Sequence, residues 1–238
     1  MIEIIPWDSQ HFKMNVGVYN VPTKISNFDL ESLLREAKAC HYDVVYVRSN
    51  SPIIELENKH TFRDERIVYA KENTRITPPL WLQEQNQNCI SIGSRKNKQI
   101  SKELIQLALA SGEYSRYKLD ERFNRECFET LYKDWIRNSV YEDFATDVLV
   151  ASLNDKDVGL LTYKVAGTTA TIGILAVEST YRGLHIGKHL MQYYHEALSP
   201  DISSLKVVTQ GANHIARRFY ESCGYSIEDT SFTYHLWI

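Results

Sequence analysis

From Thr171 to Gly187 the chain passes from an alternating apolar strand, Thr171 to Val177, through Glu178-Ser179-Thr180-Tyr181 into the turn Arg182-Gly183-Leu184-His185-Ile186-Gly187. This junction constrains the fold more than any other segment. The turn opens a helix from Gly183 to Leu198 whose apolar residues Ile186, Leu190, Tyr194 and Leu198 share one stripe, and Pro200 stops it. Leu205 to Thr209 then reads as a second strand, parallel to the first. A strand, a crossover helix and a parallel strand form a βαβ step, which needs a sheet with helices laid on it, so α and β elements are mixed. A helix start presents unpaired backbone N–H groups and the positive end of the helix dipole, and a glycine turn lets a ligand approach that backbone. With Arg182, His185 and Lys188 nearby, an anion such as a pyrophosphate is the expected occupant, and no metal is needed to hold it.

The surrounding pattern extends the sheet. Val148–Ala151 and Val158–Val165 flank the turn cluster Asn154-Asp155-Lys156-Asp157, and a reversal at Gly167 leads into Thr171–Val177, which gives three consecutive antiparallel strands. Before them a helix is expected over 122–138, with Phe128, Leu131, Trp135 and Ile136 at three- and four-residue spacing, then a second short helical turn or a loop over 139–144. After the second parallel strand come a helix from Asn213 to Cys223 and a closing alternating strand from Thr230 to Ile238. In the first third, helical spacing covers 28–40, a buried strand Val44–Val47, a short helix 52–60 and another strand 67–70.

That order repeats. With Phe62 set against Tyr225, Asn50 falls on Asn213, Leu56 on Phe219, Val45 on Val208 and Thr61 on Gly224, so 43–70 and 206–237 read as distant copies of one strand-helix-strand unit. The first copy has Glu57 where the second has Tyr220, and nothing upstream of it resembles Arg182–Gly187, so only the second copy is expected to bind a cofactor. Residues 84–102 are polar and poor in large apolar side chains, which marks a linker between an incomplete N-terminal domain, 1–83, and a complete C-terminal one, 103–238.

Composition removes several classes. A net charge of -3 gives no polyanion-binding field, and Arg95-Lys96-Asn97-Lys98 is too short a basic run to supply one, so nucleic acid is not an expected partner. No apolar run approaches the roughly 18 residues that span a bilayer. The stretch Met1-Ile2-Glu3-Ile4-Ile5-Pro6-Trp7 lacks the features of a signal peptide, so a soluble, cytoplasmic protein without a membrane partner is expected. Cys40, Cys89, Cys127 and Cys223 form no C-x-x-C pair, which points to reduced, mostly buried thiols with neither metal site nor disulfide scaffold.

Arg182–Gly187 resembles the pyrophosphate loop of the GNAT acetyltransferase superfamily, which reads Arg/Gln, two residues, Gly, one residue, Gly/Ala directly after the fourth strand. The departure is His185 at the middle glycine, where a Cβ restricts positive φ and close backbone approach; the imidazole can instead lend charge to a phosphate. Four further stretches are similar to the TDP-fucosamine acetyltransferase family: Trp135-Ile136-Arg137-Asn138-Ser139-Val140, Ala170 to Val177, Val208 to Asn213, and Tyr220-Glu221-Ser222-Cys223-Gly224. So is the opening Pro6-Trp7-Asp8-Ser9-Gln10-His11-Phe12. The resemblance implies a GNAT fold, a central mixed, mostly antiparallel sheet flanked by helices, preceded by an incomplete GNAT-like N-terminal domain. It implies acetyl-CoA as cofactor, with the pantetheine arm entering the gap between the two parallel strands like an extra strand. By position, Leu175, Ala176, Val177, Arg182, Gly183, Leu184, His185, Ile186, Gly187, Lys188, Asn213, Arg217 and Tyr220 would line the coenzyme. The implied acceptor is a TDP-linked 4-amino-4,6-dideoxyhexose for surface glycans, bound in a cleft between the halves.

The reaction dictates the remaining roles. A neutral amine attacks a thioester, an oxyanion forms, and a thiolate leaves that benefits from a proton. Tyr220 takes the place of the family's catalytic acid, and a phenol can donate at neutral pH without being ionised. The backbone N–H of Val177 is the expected oxyanion donor. No His/Asp pair stands out as base, and a water chain opening on Glu178 or on His235 would serve. Asn213 either contacts pantetheine or caps its helix, and Lys188 and Arg217 either meet phosphates or are ordinary surface charges. Trp135, Tyr141 and Phe144 are the candidates for stacking on the acceptor; the helical stripe favours core packing for Trp135, while Tyr141 and Phe144 stay open between packing and contact. The alternating C-terminal strand offers an edge for a two-fold homodimer. Two alternatives stay open: acetylation of a peptide or protein amine, and a non-catalytic acyl-CoA-binding module.

Overall fold

The computed structural model describes residues 1–22, 29–57, 59, 61–74 and 90–238. In chain order they form β1 (Glu3–Ile4), α1 (Pro6–Phe12), β2 (Val16–Asn20), α2 (Leu30–Ala39), β3 (Val44–Ser49), α3 (Ile54–Glu57), β4 (Phe62–Glu72), β5 (Ile90–Ser94), α4 (Lys102–Ser111), α5 (Arg116–Leu119), α6 (Arg125–Tyr141), β6 (Asp147–Leu153), β7 (Lys156–Ala166), β8 (Thr169–Val177), a 3-10 turn at Ser179–Tyr181, α7 (Ile186–Ala197), β9 (Ser204–Gln210), α8 (His214–Ser222) and β10 (Ser226–Trp237). Side-chain caps start five of the described helices, Ser115 accepting from Tyr117 N–H at the start of α5. Asp29, Ser101, Asn124 and Asn213 accept from Ser32, Leu104, Glu126 and Ala216 backbone N–H groups, each satisfying a donor that the helix itself leaves unpaired.

The strands make one ten-stranded sheet in the order β1-β2-β3-β10-β4-β9-β8-β7-β6-β5. Among the described residues only β2/β3 and β8/β9 are parallel pairs. Each is joined by a crossover helix, α2 and α7, because a parallel return cannot be made by a tight turn. The central order β2-β3-β10-β4-β9-β8 is topologically palindromic: β2-α2-β3-α3-β4 corresponds to β8-α7-β9-α8-β10, with the last strand of each unit lying beside the other unit. The strand-helix-strand units seen in the sequence therefore interleave rather than sit side by side.

Four apolar clusters fix the layers. On one face α2 and α3 cover Val45, Val47 and Tyr234, and α7 and α8 cover Tyr69, Leu161, Ile172 and Val207. On the other face α1 and Phe123 cover Val16, Val44 and Tyr46, and α4 and α6 cover Val148, Leu160 and Ile174.

Several expectations need correction. Residues 90–94, assigned to the linker, are β5, hydrogen-bonded antiparallel to β6, and 102 already starts α4; residues 84–89, with Cys89, lie outside the described residues, as does Phe28. Helices α4 and α5 were not anticipated, and α6 runs on to Tyr141 instead of ending near 138. Helix α7 begins at Ile186, so Gly183 belongs to the turn. Cys40 is exposed at the end of α2 rather than buried. The C-terminal strand β10 is no free edge: β3 takes one side and β4 the other, which removes the proposed basis for a strand-paired homodimer.

Candidate active site

The parallel pairing of β8 with β9 runs from Thr169 opposite Ser204 to Ile172 opposite Val207 and stops there. The cause lies on the other side of β8. Between the pairs Leu161/Leu175 and Tyr163/Ile172, β8 carries Gly173 and Ile174 against the single residue Thr162 of β7. Such a bulge bends its strand, and here Thr162 Oγ1 satisfies the displaced Ile174 N–H at 2.9 Å. Past Ile172 the two strands diverge, leaving a slot bordered by Gly173, Ile174 and Leu175 and by Val208, Thr209 and Gln210.

At the far end of β8 the chain makes its 3-10 turn and the exposed loop Arg182–His185 before entering α7. Gly183 has φ 86 and His185 φ 57, so the position where the family motif has glycine keeps a left-handed backbone although it carries a side chain. No side chain caps α7. Its first turn lies against β8 and α8: a Cβ built on Gly187 would stand 3.0 Å from the Phe219 ring and 3.8 Å from Val177. The first turn of α7, the end of β8 and α8 thus meet at one place, and the loop that leads into it, Arg182–His185, is exposed to solvent.

The slot opens into a cleft of about 1040 Å³. From the α7/α8 side Asn213, Ala216 and Tyr220 reach it; from the opposite face of the sheet come Arg48 of β3, Asp64 and Arg66 of β4, and Ser231 and Thr233 of β10. Tyr132 and Trp135 of α6 and Arg116 and Tyr117 of α5 roof it. Arg116 is held rigidly: its guanidinium lies 4.3 Å from the Tyr46 ring centroid and donates to the Tyr117 hydroxyl at 2.5 Å, which in turn donates to Asp8 at 3.0 Å. Burial pushes the Asp64 carboxyl up to about 6, against the opposing pull of Arg116 and Arg66. Tyr220, 5 % exposed, has its phenol pushed up by burial and by nearby Cys223, so it stays protonated at neutral pH.

Of the residues singled out from sequence, Leu175, Asn213 and Tyr220 line the cleft, with Trp135 as well. Asn213 caps α8 through its side-chain oxygen, 3.1 Å from Ala216 N. Ala176 packs beneath the sheet in the α4/α6 cluster, and Val177 packs toward α7. Lys188 donates to Ser222 O at 2.6 Å and lies over Phe219, while Arg217 donates to Gly211 O at 3.2 Å and Tyr69 Oη at 3.4 Å, so both side chains hold α8 in place. Phe144 leans edge-on against Trp135 at 5.9 Å, and Tyr141 is exposed; neither borders the cleft.

Neither base candidate reaches the cleft. Glu178 sits beyond the end of β8, its N–H donating to Val158 O at 2.9 Å and its carboxylate accepting from Ser179 Oγ at 3.2 Å. His235 is fully buried among Tyr46, Phe62 and Phe123. Its Nδ1–H donates to Asp120 at 2.8 Å, and burial outweighs that carboxylate to bring the imidazole down to about 4. Alternation along β10 shows that His235 and Tyr234 face opposite ways, but not that the His235 side is sealed by Phe123. Asp64, Arg66, Arg48 and Arg116 escaped sequence reasoning. The available signal was the charged period-two pair Asp64/Arg66 in a strand whose other face carries Ile67 and Tyr69.

Among the described residues no cluster of His, Cys, Asp or Glu is placed to hold a metal ion, and no helix is long and apolar enough to cross a membrane. The sequence profile of the acetyltransferase (GNAT) domain matches residues 145–227, from β6 to the start of β10. The spore coat polysaccharide biosynthesis protein SpsD of Bacillus subtilis (strain 168) is 28% identical over 137 residues, which are 56% of this chain and 46% of that protein, so the chain spans under half of its curated relative. A functionally unknown conserved protein from Staphylococcus epidermidis ATCC 12228 superposes with a TM-score of 0.66 at 14% identity, over 98% of this chain and 88% of the other. A GCN5-related N-acetyltransferase from Sphaerobacter thermophilus does so with a TM-score of 0.57 at 12% identity, over 99% and 76%.

Proposed function

From the premise that residues 145–227 are a GNAT acetyltransferase domain, we propose that this chain moves the acetyl group of acetyl-CoA directly to the amine of a nucleotide-linked amino sugar used in surface polysaccharide synthesis. The observation that carries the reading is that one cleft joins the slot between β8 and β9 to a polar chamber bearing Arg48, Arg66 and Arg116 beneath Tyr132 and Trp135. Pantetheine in the slot would bring the thioester beside Tyr220, with its pyrophosphate on the Arg182–Gly187 loop and the start of α7. The Val177 N–H is the donor for the developing oxyanion, and Tyr220 returns a proton to the departing thiolate. In the chamber the arginines suit a diphosphate, since guanidinium groups bind phosphate oxygens in pairs, and the aromatic rings suit a base or sugar face. The partial likeness to SpsD, a polysaccharide biosynthesis protein, favours a sugar acceptor.

A peptide-amine acceptor fits less well, because a cationic substrate would meet three arginines against two cleft-lining acids, Asp64 and Asp229. The test is thiol release from acetyl-CoA with a panel of TDP- and UDP-linked amino sugars, including TDP-4-amino-4,6-dideoxygalactose, beside lysine peptides. Fast release with one TDP-4-amino sugar supports the reading. Turnover of peptides alone would replace it, and silence across the panel despite acetyl-CoA binding would turn it into a non-catalytic acyl-CoA-binding role.

A further inference from the structure

We propose that Asp64 accepts the proton of the acceptor's ammonium group, so that the amine meets the thioester neutral; this rests on the acetyl-transfer reading above. Among the described residues that line the cleft, the acids are Asp64 and Asp229 and none is a histidine. Asp229 lies exposed at the bulge where β10 shifts register on β4, whereas Asp64 sits half-buried near the start of β4, opposite Thr233 of β10. Its side chain shares a cleft with Tyr220 and with the bulged Gly173–Leu175 segment, so base and acid border the same space from opposite faces of the sheet. General catalysis needs that separation, because the two groups act on different atoms of the tetrahedral intermediate.

The charges around Asp64 come from four elements: Arg66 and Glu65 on β4, Arg48 on β3, Arg116 on α5, and the Tyr132 phenol on α6. Arg116 and Arg66 favour the carboxylate, while burial and Glu65 oppose it, and the balance leaves a base whose proton affinity lies close to working pH. An ordinary surface carboxylate would be too weak a base for an ammonium.

The step balances. The ammonium gives one proton to the Asp64 carboxylate, and the freed lone pair forms the C–N bond as the carbonyl π pair moves to oxygen. On collapse the C–S bond breaks, the sulfur takes the Tyr220 proton, and the phenol is restored by the second proton leaving nitrogen. Asp64 passes its proton to solvent, so one proton is released per amide formed.

The experiment compares wild type, Asp64→Asn and Asp64→Glu with whichever amine the wild type acetylates. Asp64→Asn is expected to lower kcat/KM by about 10²- to 10⁴-fold and to abolish the acid limb of its pH profile. Acetyl-CoA affinity should stay within about twofold, and Asp64→Glu should keep the limb with partial activity. A variant that keeps wild-type kcat/KM and its acid limb overturns the proposal. If the wild type turns over no nucleotide sugar, the acceptor reading falls, and the carboxyl itself is measured. In protein labelled with carboxyl-¹³C aspartate, one resonance missing from Asp64→Asn should titrate near 6, and titration in the ordinary range near 4 overturns the assignment.

Discussion

Gly159 is where the packing of the sheet meets the start of α7. It lies in β7 between Ala151 of β6 and Val177 of β8, under the first turn of α7. An added Cβ would stand 2.8 Å from Ile186 Cγ2, 3.0 Å from Leu190 Cδ1 and 3.2 Å from Ala151 Cβ. Carbon atoms settle at about 3.5–4.0 Å, so the start of α7 would have to rise by nearly 1 Å, or Ile186 and Leu190 would have to leave their rotamers. Both side chains are fully buried, so neither can swing into solvent. Overpacking of this kind costs about 1–3 kcal/mol. At about 2 kcal/mol the melting temperature of a chain this size falls by roughly 4–8 °C. Ile186 is the first residue of α7, directly after the Arg182–His185 loop proposed to hold the pyrophosphate, so that loop moves too. If one charge-assisted bond, worth about 1.5–3 kcal/mol, loses half its strength, acetyl-CoA binding weakens roughly 3- to 10-fold. Thermal melts and calorimetric titration of Gly159→Ala read both effects. Gly93→Ala is the control, since nothing lies within 4 Å of its Cβ; it should be neutral or gain about 0.4–1 kcal/mol from the unfolded chain. A Gly159→Ala protein as stable and as tight-binding as Gly93→Ala would refute the view that this glycine seats the loop.

Three other perturbations bear on the site. Tyr220→Phe should reduce kcat by about 10²- to 10⁴-fold with acetyl-CoA affinity preserved, measured by thiol release; unchanged turnover removes its role as acid. Because His185 holds a left-handed backbone, His185→Val should be about 1–3 kcal/mol less stable than His185→Asn in denaturant melts, and equal stabilities would show that the loop relaxes freely. His235, at 6.5 in the unfolded chain and about 4 in the fold, should stay neutral by NMR titration down to about pH 5. The fold binds fewer protons than the unfolded chain in that interval, so acidification from 6.5 toward 4 favours unfolding through this residue, and above 6.5 it contributes no pH dependence. A titration midpoint near 6.5 would contradict its burial.

What the sequence by itself determined is local. The hairpins β6/β7 and β7/β8, the crossover through α7, the cap at Asn213 and the position of Tyr220 on α8 follow from period-two and 3.6-residue patterns, turn residues and caps acting over a few positions. The turn that leads into α7 was legible for the same reason, down to the strained backbone at His185. Only the tertiary structure decided where β10 goes. An alternating strand has two faces and two edges, and the pattern of Thr230–Ile238 does not say which strands flank it or which face is sealed. Its insertion between β3 and β4 buried His235, took away the free edge expected of the last strand, and placed Thr233 beside Asp64. The chamber proposed for the acceptor is decided at the same level. Arg48, Asp64, Arg116 and Trp135 come from four elements scattered along the chain, and each alone reads as a solvated charge or a core aromatic. They come together because strand exchange and the splay of β8 from β9 bring them around one cavity, and no local signal in the sequence encodes those long-range pairings.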